Sequence, residues 1–273
     1  MNSLSRENVF QRNNVIMKGY GSQVMLFAHG FGCDHHMWRL VTPAFESDYK
    51  VITLDNVGAG ESDVSKFDPA KYATLHGYAQ DILDILHAVD ARNAIFVGHS
   101  VSAMVGILAA IAEPALFEHL ILVGPSPSYI NEERYLGGIA RQDIEEMLEF
   151  LDKNYLGWSS AMAPAIMGNS DRPALSNELE NSFCRTDPAI AQHFARTTFL
   201  SDHRDDLPKL AVPALILQCS EDVIAPDAVG RYMHAQMPGS SFVQMKATGH
   251  CPNLSAPEET VSEIKRYLSQ VRQ

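Results

Sequence analysis

Ala94-Ile95-Phe96-Val97-Gly98-His99-Ser100-Val101-Ser102 is an apolar run that breaks into small and polar residues, and a helix-like run, 103–112, follows at once. A chain passing from strand to helix over so few residues must strain the turning residue, and small neighbours two positions to either side permit this. Gly98 and Ser102 stand at those places. The turn lifts the Ser100 hydroxyl above the strand ends and backs it with a helix N-terminus. That arrangement is a nucleophile elbow, suited to acyl transfer. The usual pentapeptide ends in Gly; here Ser102, also small, takes that place.

Three further stretches support this reading. His29-Gly30-Phe31-Gly32 follows the apolar run Val24-Met25-Leu26-Phe27-Ala28. Glycines let such a loop lie close to a reacting carbonyl. One of its N–H groups, with that of the residue after the nucleophile, makes an oxyanion hole. The donors expected are Phe31 and Val101; the alternative is an ordinary Gly-rich turn. Asp222 follows Pro213-Ala-Leu-Ile-Leu-Gln-Cys-Ser, which reads as a strand buried in a parallel sheet. Glu221 is the rival acid. Adjacent residues at a strand end point in different directions, so only one faces the site. Asp222, just before the loop Val223-Ile224-Ala225-Pro226, is preferred. His250 lies in Lys246-Ala-Thr-Gly-His-Cys-Pro, after a strand at 241–245, with Gly249 and Pro252 marking a tight loop that aims the ring. The chain order Ser100, Asp222, His250 is that of the α/β-hydrolase fold.

The chemistry needs all three. A serine hydroxyl is a weak nucleophile at its own pKa, so His250 must take its proton. Asp222 must keep the imidazole in the right tautomer and stabilise its charge. Other histidines are weaker candidates. His99 is expected to pack under the elbow and His29 to brace the oxyanion loop. His35 and His36, adjacent at a helix start, are expected not to face one ion, so neither a metal nor a cofactor is expected.

The 273 residues, 46% hydrophobic, suffice for one large domain with a sizeable core. A net charge of −12 disfavours nucleic acid and anionic membrane surfaces, whose phosphates repel such a chain. No run reaches the roughly 20 apolar residues of a membrane helix. Met1-Asn-Ser-Leu-Ser-Arg-Glu-Asn carries no signal-peptide core. Cys33, Cys184, Cys219 and Cys251 show no paired spacing, and Cys219 reads as a buried strand residue. A reducing cytoplasm is the expected setting.

Apolar runs at 24–28, 51–54, 94–97, 120–123, 214–218 and 241–245 read as strands. Residues 78–89 carry Ile82, Ile85, Leu86 and Val89 at helical spacing, and 257–271 carry Val261, Ile264 and Leu268 behind an initial Pro. Such alternation implies an α/β fold, a mostly parallel sheet with helices on both faces. The turn-rich loop 55–62 is expected to brace the surroundings of the site. The alternation breaks between 128 and 207, which reads as helical throughout. Ile144, Met147, Leu148 and Leu151 mark a first helix; 158–167, 174–184 and 189–200 follow, the last announced by Thr186-Asp187-Pro188. The expected organisation is a core of 1–127 and 208–273 with an inserted four-helix lid, 128–207, over Ser100. An apolar lid makes a dry pocket in which an oxyanion hole is most effective. Trp158, Met162 and Phe199 are candidates to line it; packing between lid helices is the alternative for each.

The stretches His29-Gly-Phe-Gly-Cys, Gly98-His-Ser-Val-Ser-Ala-Met, Val123-Gly-Pro-Ser-Pro, Phe199-Leu-Ser-Asp-His-Arg and Gly249-His-Cys-Pro resemble a small group of α/β-hydrolases, and the similarity spans nearly the whole chain. The group contains the bacterial stress regulator RsbQ and the plant butenolide receptors for karrikins and strigolactones. Lys153-Asn-Tyr-Leu-Gly-Trp and Phe183-Cys-Arg-Thr-Asp-Pro favour the bacterial branch. The resemblance implies a V-shaped four-helix lid over a buried apolar pocket. It carries catalytic roles onto Ser100, Asp222 and His250, oxyanion donors onto Phe31 and Val101, and pocket positions onto Trp158 and Phe199. Ile139 and Met162 stand where relatives often carry Phe, which implies a wider or differently shaped pocket; Ile224 is a further candidate for its wall. Two functions follow. One is a serine hydrolase cleaving a small apolar ester or lactone, linked to stress signalling. The other is a ligand-gated sensor that activates a partner, a PAS-domain phosphatase by analogy with the bacterial relative, with hydrolysis incidental. A dehalogenase or epoxide hydrolase would need an acid at the elbow, where Ser100 stands.

Overall fold

The computed structural model describes residues 5–272; the start of the segment read for a signal core, residues 1–4, lies outside them. The strands are β1 (Ile16–Lys18), β2 (Val24–Ala28), β3 (Lys50–Thr53), β4 (Ala94–His99), β5 (Phe117–Val123), β6 (Ala214–Gln218) and β7 (Ser240–Gln244). The helices are α1 (Arg6–Arg12), α2 (Leu75–Ala88), α3 (Val101–Ala112), α4 (Arg141–Lys153), α5 (Tyr155–Met167), α6 (Pro173–Phe183), α7 (Pro188–Phe199), α8 (Asp227–Gln236), α9 (Pro252–Ser255) and α10 (Pro257–Val271). One seven-stranded sheet runs β1-β3-β2-β4-β5-β6-β7. β1 pairs antiparallel with β3, and every other pair is parallel. β1 is the strand that sequence did not suggest. It has three residues on the sheet edge, none fully buried, so no apolar run announces it.

The central strands are buried on both faces, and alternate residues feed different cores. Leu26, Phe96, Leu122 and Ile216 join Ile82 of α2, Met104 of α3 and Met233 of α8. Phe27, Val97, Ile121 and Leu217 join Trp38, Phe45 and, from α10, Ile264 and Leu268. Two-sided burial is why these strands read as unbroken apolar runs.

Helices α4 to α7 lie in sequence between β5 and β6. Each has a starting signal or an apolar stripe. Ile144, Leu148 and Leu151 are the buried face of α4. Asp187 caps α7 by accepting from the Ala189 and Ile190 N–H groups, with Pro188 at the first position. These helices have no core to themselves. Their Trp158, Leu179, Phe183 and Phe199 share one apolar cluster with Cys33, Ile224 and Cys251 from loops at the strand ends. The expectation of helix throughout 128–207 fails for 128–140. Gly124, Pro125 and Pro127 precede this segment and Gly137-Gly138 interrupts it. It instead forms isolated bridges, Ser128 with Asp202 and Ile130 with Ile139. Among the described residues, no helix is long and apolar enough to cross a membrane.

Candidate active site

Ser100 sits between β4 and α3 with φ 57° and ψ −126°, the strain expected of a residue forced between strand and helix. A Cβ on Gly98 would come within 2.6 Å of the Ser102 carbonyl oxygen and 2.7 Å of the Phe96 ring. Ser102, in the place where Gly is usual, is fully buried, and its hydroxyl donates to the His29 carbonyl. The departure from the usual pentapeptide therefore ties the elbow to the loop after β2.

His250 Nε2 lies 2.8 Å from Ser100 Oγ, and His250 Nδ1 lies 2.7 Å from Asp222 Oδ2. The other Asp222 oxygen accepts from the Ile224 and Ala225 N–H groups at 2.8 and 3.0 Å. Burial pushes the Asp222 carboxyl up. The nearby His250, its hydrogen bond and the two backbone donors outweigh this and hold it below its ordinary value. An ionised Asp222 fixes the imidazole proton on Nδ1 and leaves Nε2 free to take the serine proton. Glu221 is exposed. Its contribution is backbone: its carbonyl accepts from the Gly249 N–H at 2.6 Å. Strand-like alternation sends the two side chains opposite ways.

Val101 opens α3, where an N–H has no intrahelical acceptor. Phe31 lies in the loop after β2, held close to the elbow by Gly30. A Cβ on Gly30 would sit 3.1 Å from Ser100 Cβ and 2.8 Å from His99 Nδ1. His29 braces this loop. Its Nε2 accepts from the Asn56 N–H at 2.9 Å, so its proton sits on Nδ1, which donates to the Gly30 carbonyl at 2.8 Å. Burial lowers its pKa and keeps it neutral.

A cavity over Ser100 is walled by Phe31, Ile166, Leu179, Phe183, Phe199 and Ile224, with Cys33 and Cys251 beside them. Its free volume is about 30 Å³, room for little more than a water molecule. Burial pushes both thiols up, so they act as small apolar wall groups. Phe199 and Ile224 reach the cavity; Trp158, Met162 and Ile139 do not. The reason is the placement of α5, which meets the site with its last turn. Its Ile166 carbonyl accepts the His250 N–H at 2.9 Å. Trp158 lies two turns earlier, fully buried behind Phe31 at 5.8 Å between ring centres and stacked on Tyr155 at 6.1 Å. Met162 and Ile139 are half-buried against the same cluster.

Sequence reasoning missed Phe183, Leu179, Ile166 and both thiols. Cys33 and Cys251 were within reach, since each adjoins a motif already singled out. Phe183 had a subtler sign. A Cβ on Gly32 would lie 2.0 Å from the Phe183 ring, so this glycine, at φ +69°, makes room for α6 over the loop.

Asp34, His35 and His36 bring donor atoms within 4.8 Å of one another. The two imidazoles lie side by side, tilted by 34° with 4.0 Å between ring centres. Their Nδ1 atoms are already engaged, His35 with Asp55 at 3.0 Å and His36 with Asp34 at 3.1 Å, while Asp34 Oδ2 takes Arg185 at 2.6 Å. The cluster is thus a tether. Asp34–Arg185 and Arg39–Glu178 join the segment after the oxyanion loop to α6 and the turn beyond it. A larger open groove of about 530 Å³ lies between the start of α2 and α7. Of its histidines, His203 pairs with Asp206 at 2.9 Å and His193 with the Tyr72 carbonyl at 3.0 Å; among the described residues neither is hydrogen-bonded to a serine hydroxyl.

The Alpha/beta hydrolase family pattern matches residues 25–263. Karrikin insensitive 2 receptor CA of Petunia hybrida is 38% identical over 261 residues, covering 95% of this chain and 97% of its own. Strigolactone esterase D14 of Arabidopsis thaliana is 37% identical over 266 residues, covering 97% of this chain and 99% of its own. The solved structure of a hydrolase from Oleispira antarctica superposes with a TM-score of 0.95 at 38% identity, covering 97% of this chain and 98% of that one. The chain belongs to the alpha/beta hydrolase family.

Proposed function

We propose that the protein is a serine hydrolase for a small, uncharged ester or lactone, with Ser100 as nucleophile, His250 as general base and Asp222 as the anion that orients it. The observation that carries this is the unbroken relay from Asp222 Oδ2 through His250 to Ser100 Oγ, at 2.7 and 2.8 Å. Ser100 Oγ attacks the carbonyl carbon as its proton passes to His250 Nε2. The N–H groups of Phe31 and Val101 receive the developing oxyanion. His250 returns the proton to the departing alkoxide, and water cleaves the acyl-enzyme by the same route. Among the described residues, no Asp, Glu, Lys or Arg lines the cavity. An ionised ligand would lose its hydration there with nothing to replace it. Names of relatives, a strigolactone esterase and a karrikin insensitive 2 receptor, agree with this class.

The size of the cavity favours a second reading. About 30 Å³ is far below the roughly 300 Å³ of an ordinary ligand site. Any ester must displace part of this wall, and Ile166, Leu179, Phe183 and Phe199 of it stand on the inserted helices. Binding therefore changes the surface made by the inserted helices, as a ligand-gated sensor requires. A role in stress signalling upstream of a PAS-domain phosphatase extends the resemblance to RsbQ in this direction. Slow turnover of 4-nitrophenyl acetate, lost in Ser100→Ala, is the expected result. Equal rates for the two proteins would overturn the assignment. For the second reading, a butenolide lactone should shift thermal melting and promote capture of the partner. A melting shift with no capture leaves the plain hydrolase.

A further inference from the structure

We propose that His99 is a positioning residue for the general base: as a neutral imidazole it holds the main chain of His250 against the elbow. This rests on the catalytic reading of Ser100, His250 and Asp222. The peptide groups of His250 are gripped at both ends. Its N–H donates to the Ile166 carbonyl at 2.9 Å. Its carbonyl accepts from His99 Nε2 at 2.7 Å. The loop has little stiffness of its own at this point, since Gly249 precedes His250 at φ +77°.

The second nitrogen of His99 sharpens the argument. A carbonyl offers no proton, so the bond to His250 fixes the proton of His99 on Nε2 and leaves Nδ1 a bare acceptor. That Nδ1 is buried and has no partner. It is pressed against the oxyanion loop, 2.8 Å from where a Cβ on Gly30 would stand. Trp38 meets the ring edge-on, with 6.4 Å between ring centres. A buried nitrogen without a partner is costly and calls for a reason. Its consequence is that a protonated ring would add an N–H with no acceptor. It would also place a cation whose ring centre is 5.0 Å from that of His250, opposing the charge that His250 acquires during attack. Burial, followed by the nearby His250, pushes the His99 pKa down to about 3, which keeps the ring neutral. Nucleophile and clamp are adjacent in sequence. The Ser100–His250 distance is therefore set through one short stretch of backbone, and Gly98-His99-Ser100 works as a unit.

The test compares His99→Leu with His99→Gln on 4-nitrophenyl acetate, with Ser100→Ala alongside and thermal melting of every variant. Gln keeps an uncharged N–H donor near the place of Nε2; Leu removes it. His99→Leu should lower kcat about 10- to 100-fold, in line with the cost of misplacing a reacting group by about 1 Å. KM should stay within about twofold. His99→Gln should recover most of the loss. Should the Leu variant not fold, His99→Met, apolar and more adaptable, takes its place in the same comparison. Equal loss in the apolar and Gln variants, a loss confined to KM, or wild-type kcat without the donor would each overturn the clamp. Activity retained in Ser100→Ala would overturn the reading of the site itself.

Discussion

The strand ends and the inserted helices build one site by different physical means. Around Ser100, His250 and Asp222 the backbone decides position. Ser100 N–H donates to Val123 O at 2.8 Å, Ser220 N–H to Ala247 O at 2.9 Å and Gly249 N–H to Glu221 O at 2.6 Å. The sheet ladder thus continues into the loops that carry the functional side chains. The inserted helices instead place their wall by packing. Phe31 touches Trp158, Phe183, Phe194 and Phe199, with ring centres 5.7 to 6.3 Å apart. A ladder admits few residue types at its turns, whereas an aromatic cluster can be filled in many ways. The first region should respond to substitution in rate, the second in stability and ligand size.

The largest contrast is expected within the first region. Asp222→Asn should lower kcat by about 10⁴, because the imidazole is left in the wrong tautomer. Glu221→Gln, whose side chain is exposed, should change it little. A crippled Glu221 variant would exchange the two roles. In the second region, Phe183→Ala should cost about 3–5 kcal/mol of stability, as aromatic truncations in cores do. It should also open the cavity, so that esters with bulkier acyl groups gain in kcat/KM relative to acetate. Unchanged selectivity would mean that Phe183 does not limit the space over Ser100.

A smaller effect separates the regions by pH. The folded pKa of His99 is pushed from 6.5 down to about 3. Below 6.5 the unfolded chain therefore binds a proton that the native state does not. Stability is at its full value above that pH and falls as the pH drops toward the folded value. His29, lowered chiefly by burial, adds in the same sense. The loss from His99 should be on the order of 2–3 kcal/mol by about pH 4.5. Melting temperature followed from neutral pH downward should fall less steeply in His99→Gln; identical slopes would show that His99 is not the group responsible. The smallest effect is expected at the tether. Arg185→Gln removes the partner of buried Asp34, but Arg185 is half exposed and screened, so the loss should be about 1 kcal/mol. Chemical denaturation reads it, and a loss several times larger would make the tether a principal support of α6.

The same difference explains what was legible in the sequence. The elbow, the oxyanion loop and the His250 loop each needed glycine or another small residue at a fixed offset, and such needs leave marks. Gly98, Gly30 and Gly249 are those marks. The sheet was legible because two-sided burial wrote continuous apolar runs, and β1 was not because a three-residue edge strand writes none. Residues 128–140 misled because Pro125 and Pro127 just before them and Gly137-Gly138 within them were weighed less than the helices beyond. The cavity wall was the least legible part. Trp158, Met162 and Ile166 lie along α5 at four-residue spacing, so pattern alone marks them as equivalent. How α5 approaches the His250 loop determines that Ile166 alone of the three reaches the cavity. That is a property of tertiary packing and has no local signature.

The central claim is that Ser100 is the nucleophile of a relay through His250. Its most direct test is covalent labelling with a small alkyl fluorophosphonate, read by intact mass and peptide mapping. One adduct per chain, on Ser100, is expected, with labelling slowed strongly in His250→Ala. A folded protein that takes no adduct, or takes it on another residue such as Cys33 or Cys251, would contradict the account.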